Sequence, residues 1–396
     1  MKVVLAFSGG LDTSFCVPYL RERGHEVVTV FVDTGGFKRP EVARIARRAR
    51  DLGAVRHFSV NAEKDIYDRV ISYLVKSGGL YEQTYPNMCA DRYVIAEKCA
   101  DVARQVGSHA IAHGCTAMGN DQVRFDCAIR SIGSYKILAP IRDFHAEVKS
   151  DLRAKETEYL ERRGFEVAKS HRRYSINRNV FGVTISGSEI DQNGEPSEEA
   201  WVLTSPLEKA PAKPERIRIG FASGLPVTLD GKKRHGIEIL KDLNGRVGRH
   251  GAGRAIYTGD CVIGIKGRIA FECPGLSALL VAHRALESAT LSREQIDFKS
   301  MVSQRWATLA YNGLFYDPLA RDLEKFLDSN QRNVSGEVTV KVFKGSLLPV
   351  AHTSPNLLKD DRTVYAQAAG WTPSEAEAFV KLFGLGTELA SRKRRR

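Results

Sequence analysis

The sequence predicts an α/β fold: a parallel sheet wound with helices, then an α+β region, then a short helical extension. Three observations carry this prediction. Apolar, β-branched runs at 2–7 (KVVLAF) and 26–32 (EVVTVFV) each lead into a helical pattern, at 12–23 and 40–52. Strand signals recur at 55–60, 109–112 (HAIA) and 136–139 (KILA), with a helical stretch at 92–106 between them. Strands separated by helices of this length imply βαβ units and a parallel sheet. After residue 165 the pattern breaks into short strand-like pieces rich in turn residues, with Pro206, Pro211 and Pro214 among them. Helical stretches return near 235–247, 275–289 and 291–311, a strand signal follows at 336–343, and a short helix is expected near 373–382.

The 396 residues exceed one ordinary core and imply two or three domains. No internal repeat is visible. No apolar run reaches the roughly 18 residues of a membrane span, and the opening MKVVLAFSGG lacks the longer apolar stretch of a signal peptide. A cytoplasmic protein is expected. The seven cysteines are odd in number and contain no C-x-x-C pair, which argues against a disulfide framework and a zinc ribbon. No metal-ligand set is read from the sequence.

Formal net charge is +12. It suits either nucleic-acid binding or an enzyme that handles polyanions. Part of the excess is local: Arg44, Arg47, Arg48 and Arg50 share one helix, and the chain ends in a basic run, Arg392 to Arg396. A terminal run of this kind reads as a solvated tail, and with no RNA-binding module in view a nucleic-acid partner is not expected.

The most informative segment is Ala6-Phe7-Ser8-Gly9-Gly10-Leu11-Asp12-Thr13-Ser14, between the first strand and the first helix. Two glycines allow a sharp turn that brings backbone N–H groups close to an anion. Ser8, Thr13 and Ser14 add hydroxyls, and the helix points its positive end at the same place. No G-x-x-x-x-G-K-[ST] occurs in the chain, and G-x-G-x-x-G is missing from this turn. The string resembles the pyrophosphatase loop of the N-type ATP pyrophosphatases. A second string, His113-Gly114-Cys115-Thr116-Ala117-Met118-Gly119-Asn120-Asp121-Gln122-Val123-Arg124-Phe125, follows the strand at 109–112, where a ligand loop belongs in such a sheet. Its hydroxyl, carboxamide, carboxylate and guanidinium can hold an amino acid. This string resembles the argininosuccinate synthases, as do Leu80-Tyr81-Glu82, Tyr174-Ser175-Ile176, Gly248 to Arg254, Ala282-His283-Arg284 and Tyr311-Asn312-Gly313.

The resemblance implies a Rossmann-like nucleotide-binding domain over 1–165. A synthetase and multimerisation domain would follow over 166–365, then a C-terminal helix and basic tail over 366–396. It implies a carbon–nitrogen ligase that uses ATP, with Mg2+, to join citrulline and aspartate. AMP and pyrophosphate would leave by way of a citrullyl-adenylate. The assembly implied is a homotetramer. Ala6, Phe7, Ser8, Gly9, Gly10, Leu11, Asp12, Thr13, Ser14, Val32 and Gly114 would contact ATP. Thr116, Asn120 and Asp121 would hold aspartate. Tyr81, Asn120, Arg124, Ser175 and Thr184 would face citrulline. Asp12 and Arg124 would position substrates, and no protein nucleophile is implied.

The pattern also breaks in places. Asn87, Met88 and Cys89 stand where the family has smaller or more polar residues, and Ala117 and Met118 replace a glycine and a lysine. Gly259 and Phe271 align with a glutamate and a tyrosine that would bind the α-amino end of citrulline. Two acceptors therefore stay open: citrulline held by another route, for example through Asp91, Arg92 or water, or an N-acylated citrulline or other ureido compound. An RNA-modifying pyrophosphatase-loop enzyme is the remaining alternative.

Overall fold

The structure is a computed structural model that describes residues 1–148, 151–167 and 174–394. Five strands form one parallel sheet: β1 (Lys2–Ala6), β2 (Glu26–Asp33), β3 (Arg56–Asn61), β4 (Ala110–Ala112) and β5 (Lys136–Leu138), in the order β3-β2-β1-β4-β5. The two-residue period of a strand sorts β1 onto two cores. Val3, Leu5 and Phe7 pack with Phe15, Val17, Leu20 and Ile45, from helices Leu11–Glu22 and Arg39–Asp51. Val4 and Ala6 pack on the other face with Tyr93 and Val94 of helix Asp91–Val106. Both faces are covered, which is why the strands read as nearly unbroken apolar runs. The chain winds outward from β1 in both directions, so the strand order reverses between β1 and β4. The crevice beyond their carboxyl ends is where ligands bind in such sheets.

Two antiparallel sheets follow. One has β6 (Ser175–Asn179), β7 (Gly182–Ser186), β11 (Arg254–Asp260) and β12 (Lys266–Glu272), in the order β11-β12-β7-β6. The other has β8 (Glu215–Ala222), β9 (Leu225–Leu229), β10 (Lys232–Lys233), β13 (Gly336–Phe343) and β14 (Ser346–Thr353), in the order β10-β9-β8-β13-β14. At the end of β12, the fully buried Glu272 carboxylate accepts hydrogen bonds from the backbone N–H groups of Val202, Leu203 and Thr204 and from the Thr204 hydroxyl. Glu272→Ala strands these donors, of which those of Thr204 are buried, and is expected to destabilise the protein by about 3 kcal/mol, measured by urea denaturation.

The structure corrects several local expectations. Residues 63–77 are helical, with a π-turn at Tyr67–Ile71 between two short α-helices. Helices Asn120–Ile132, Pro140–Glu147, Leu152–Glu161 and Pro318–Asn330 were likewise not revealed by local patterns. The last helix spans Pro373–Arg394 rather than a short stretch, and it takes in most of the basic run. Gly384 and Gly386 weaken it by about 1 kcal/mol each relative to alanine without ending it. Residues 395–396 of the basic run lie outside the described residues. The chain divides into two compact units, Met1–Asn356 and Leu357–Arg396. No helix among the described residues is long and apolar enough to cross a membrane.

Candidate functional site

The turn after β1 is built by Gly9 in the left-handed region (φ +76°), where other residues are strained. Ser8 and Thr13 clasp the turn. The Ser8 N–H donates to Thr13 Oγ1 at 3.3 Å, and the two hydroxyl oxygens lie 3.1 Å apart. The first turn of helix Leu11–Glu22, with Asp12 in it, begins directly behind. Arg48 reaches this place from its own helix, with Nε 3.4 Å from Ser14 Oγ. The loop thus combines helix-end N–H groups, hydroxyls and a half-buried guanidinium, a donor set for a polyphosphate. Arg48 was read from sequence only as part of a basic helix.

The second string folds in two parts. Residues 113–119 form the loop after β4, and Asn120 opens the helix Asn120–Ile132. Gly114 brings this loop against the first one: a Cβ there would lie 3.0 Å from Thr13 Cγ2. His113 is buried, accepts from the Cys115 N–H at Nδ1, and donates from Nε2 to Asp126 at 2.7 Å. Burial alone would raise the Asp126 carboxyl. The hydrogen bonds from His113 and Arg142 hold it below its ordinary range instead.

Asp121 and Arg124 sit one helical turn apart and pair at 2.7 Å. Arg92 joins them, bridging Asp121 and the buried Asp91 at 2.9 and 2.6 Å. Burial opposes the charge on Asp121, yet the two guanidinium groups hold its carboxyl at about 2. Arg124 is itself 3% exposed, so it is not a surface ion pair. Its Nε donates to the Tyr311 carbonyl at 2.9 Å, its guanidinium lies 4.7 Å over the Tyr311 ring, and that ring stacks on Tyr81 at 3.6 Å. Asn120 donates to the Tyr311 hydroxyl and accepts from the Val262 N–H. Arg92, Asn120, Asp121, Arg124 and Tyr311 wall a cavity of about 180 Å³, with Thr184, Asn177 and Asn179 on the strand side.

Behind the first loop, Glu156 is buried with Oε2 unpaired among the described residues. Burial first, and the neighbouring Asp12 carboxylate second, push the Glu156 carboxyl well above its ordinary value of 4.5. As pH rises above that value the unfolded chain gives up a proton that the folded protein retains, so this group lowers stability as pH rises. Glu156→Gln is expected to raise Tm at pH 8 and to change it little at pH 4.5.

Comparison with known proteins establishes the family. Residues 2–166 match the family described as the arginosuccinate synthase N-terminal HUP domain, and residues 174–390 match the arginosuccinate synthase C-terminal domain. The chain is similar to the argininosuccinate synthase of Xylella fastidiosa, at 47% identity over 98% of this chain and 96% of that one. It is similar also to those of Hyperthermus butylicus, at 41% over 100% and 99%, and Methanocaldococcus jannaschii, at 37% over 99% and 98%. The chain belongs to the argininosuccinate synthase family.

Of the residues that the argininosuccinate synthase resemblance assigned to amino-acid substrates, Asn120, Asp121, Arg124 and Thr184 line the cavity. Tyr81 lies behind Tyr311 and donates its hydroxyl to the Asp260 carbonyl. Thr116 is half-buried in the loop after β4. Ser175 lies on β6 on the same face as Asn177 and Asn179. Val32 is near the carboxyl end of β2. Phe271 is buried edge-on against Tyr85 at 5.6 Å. Gly259 lies beneath the Glu82 carboxylate and the Tyr257 hydroxyl, which fill the place of a side chain there. Sequence reasoning missed Asn177, Asn179 and Tyr257, which line the cavity, and carried Glu82 only as part of a matching string. It carried Tyr311 only as part of a matching string and Arg92 only as an alternative.

Proposed function

We propose that the chain ligates citrulline and aspartate to argininosuccinate, using ATP and releasing AMP and pyrophosphate. It acts in arginine biosynthesis. One observation supports the mechanism: Gly114 packs the loop that leads into Asn120 and Asp121 of the cavity against Thr13 of the phosphate loop. ATP gripped by its phosphates on Ser8 to Ser14 and Arg48 then presents its α-phosphorus to a ureido oxygen held in the cavity. That oxygen bonds to the α-phosphorus as pyrophosphate leaves. The aspartate amine next attacks the ureido carbon, loses a proton, and expels AMP, which carries the former ureido oxygen away. A ureido oxygen is a poor leaving group and AMP a good one, so activation and positioning supply the rate.

In this reading the Arg92–Asp121–Arg124 network and Asn120 fix the two amino acids, and Thr116 assists with aspartate. Asp12 and Arg124 serve as positioning residues. Mg2+ enters with ATP as part of that substrate, its oxygen ligands coming mainly from phosphates and water. The enzyme is cytoplasmic, has small-molecule partners and no nucleic-acid partner, and assembles as a homotetramer. The exposed apolar side chains of Phe379, Leu382 and Phe383 on the last helix support assembly. The reading is tested by product analysis. AMP and pyrophosphate should appear in equal amounts only when both citrulline and aspartate are present, whereas ADP would rule it out.

A further inference from the structure

The face of the β11–β12 ladder that looks into the cavity carries Tyr257 on β11, Cys261 just beyond its end, and Gly267 and Ile269 on β12. Gly259 lies on that face too, between Tyr257 and Cys261, and pairs directly with Gly267. The two glycines leave a trough, and the Cys261 sulfur fills its Gly267 half. Its Gly259 half is filled by the Glu82 carboxylate, because a Cβ at 259 would overlap Glu82 Oε2 and the Tyr257 hydroxyl. The carboxylate is fixed there. Tyr257 Oη donates to Glu82 Oε2 at 3.0 Å, and the Asp260 N–H donates to Oε1 at 3.2 Å. The turn that delivers it holds Glu82 and Gln83 in the left-handed region, at φ +45° and +61°. Two consecutive non-glycine residues in that region cost about 1–3 kcal/mol each and persist where surrounding structure over-determines them.

Charge separates Glu82, an exposed residue beside the cavity, from Asp91 and Asp121. Asp91 and Asp121 are each paired with arginine. Glu82 has no cation within ion-pair distance among the described residues, and the nearby Lys266 is paired with Asp260. Beside the trough, the Tyr257 ring lies 5.7 Å from Tyr85 and 6.3 Å from Tyr311. Aromatic faces beside an unpaired carboxylate favour a cation over a neutral group.

We infer that Glu82, held by Tyr257 over Gly259, is the specificity residue that receives the acceptor's α-ammonium and so selects the free amino acid over N-acylated forms. This rests on the proposed ligase reading. It gives Gly259 a role: the glycine makes room for a carboxylate delivered from a distant turn. An acylated nitrogen has no charge for Glu82 to balance and brings a carbonyl against it.

The test uses the full chain with citrulline, Nα-acetylcitrulline and 5-ureidopentanoate, which lacks the amine. Wild type should prefer citrulline over both analogues by about 100-fold or more in kcat/KM. Glu82→Gln should lower kcat/KM for citrulline by about 30-fold, carried in KM for citrulline. KM for ATP and for aspartate should stay within about twofold, and the preference over 5-ureidopentanoate should shrink below about tenfold. Gly259→Ala displaces the carboxylate and should reproduce the effect, which keeps the test open if Glu82→Gln fails to fold. Wild-type discrimination retained in these variants would overturn the inference. So would an equal rise in KM for all three substrates, or wild-type use of 5-ureidopentanoate as good as that of citrulline. A wild-type enzyme that releases no pyrophosphate with any ureido acceptor would instead overturn the ligase reading itself.

Discussion

Arg124→Met is expected to cut kcat/KM for ligation by about a thousandfold or more, because one side chain closes three interactions. It pairs with Asp121, donates to the Tyr311 carbonyl, and lies over the ring that Tyr81 stacks on. Asp91 and Asp121 would then share Arg92 alone, leaving the half-buried Asp121 carboxylate short of a cation. Removing one partner of such a pair destabilises the protein, by less than the roughly 3–5 kcal/mol of a fully buried pair. The loss should therefore appear twice, as a lowered urea midpoint and as a rate deficit that persists at saturating citrulline and aspartate. Arg124→Lys should rescue little, since a lysine offers a point charge and no planar fork to span Asp121 and the carbonyl.

Gly9→Val is expected to raise KM for ATP by about 100-fold, and Gly10→Ala to change it by less than about fivefold. The contrast follows from backbone geometry. Gly9 has φ +76°, and a Cβ there would lie 3.2 Å from Ile45 Cγ1. A β-branched residue cannot hold that turn without strain. Gly10 has φ −73°, open to any L-residue, and its added Cβ would meet only the Ser8 hydroxyl at 3.4 Å. Steady-state kinetics with varied ATP distinguishes the two. Equal effects at both positions would mean that loop composition, and not the left-handed turn, controls nucleotide binding.

The first domain was legible because its signals are local. A buried parallel strand is an apolar run, and the Gly9-Gly10 turn with its hydroxyls sits in nine consecutive residues. The acceptor cavity was legible only in part. Arg124 alone reads equally as a surface ion pair; its burial depends on Tyr311, 187 residues further along the chain. Gly259 reads as a lost carboxylate, although in space Glu82 supplies one from a turn far away in the chain. The helix at Asn120–Ile132 is hidden because its first turn is polar and follows a glycine-containing loop, so the string reads as loop throughout. Short helices at 63–77 lack an uninterrupted 3.6-residue stripe because a π-turn shifts the face in mid-course. In each case a contact across the fold, or a break in periodicity, replaces the local pattern that sequence reading depends on.

Ligation with citrulline labelled with 18O in the ureido group tests most directly whether a gripped ATP hands its adenylyl group to that oxygen. Mass spectrometry of the released AMP should find one 18O per molecule, with unlabelled pyrophosphate. AMP without the label, formed at the rate of argininosuccinate, would contradict the mechanism.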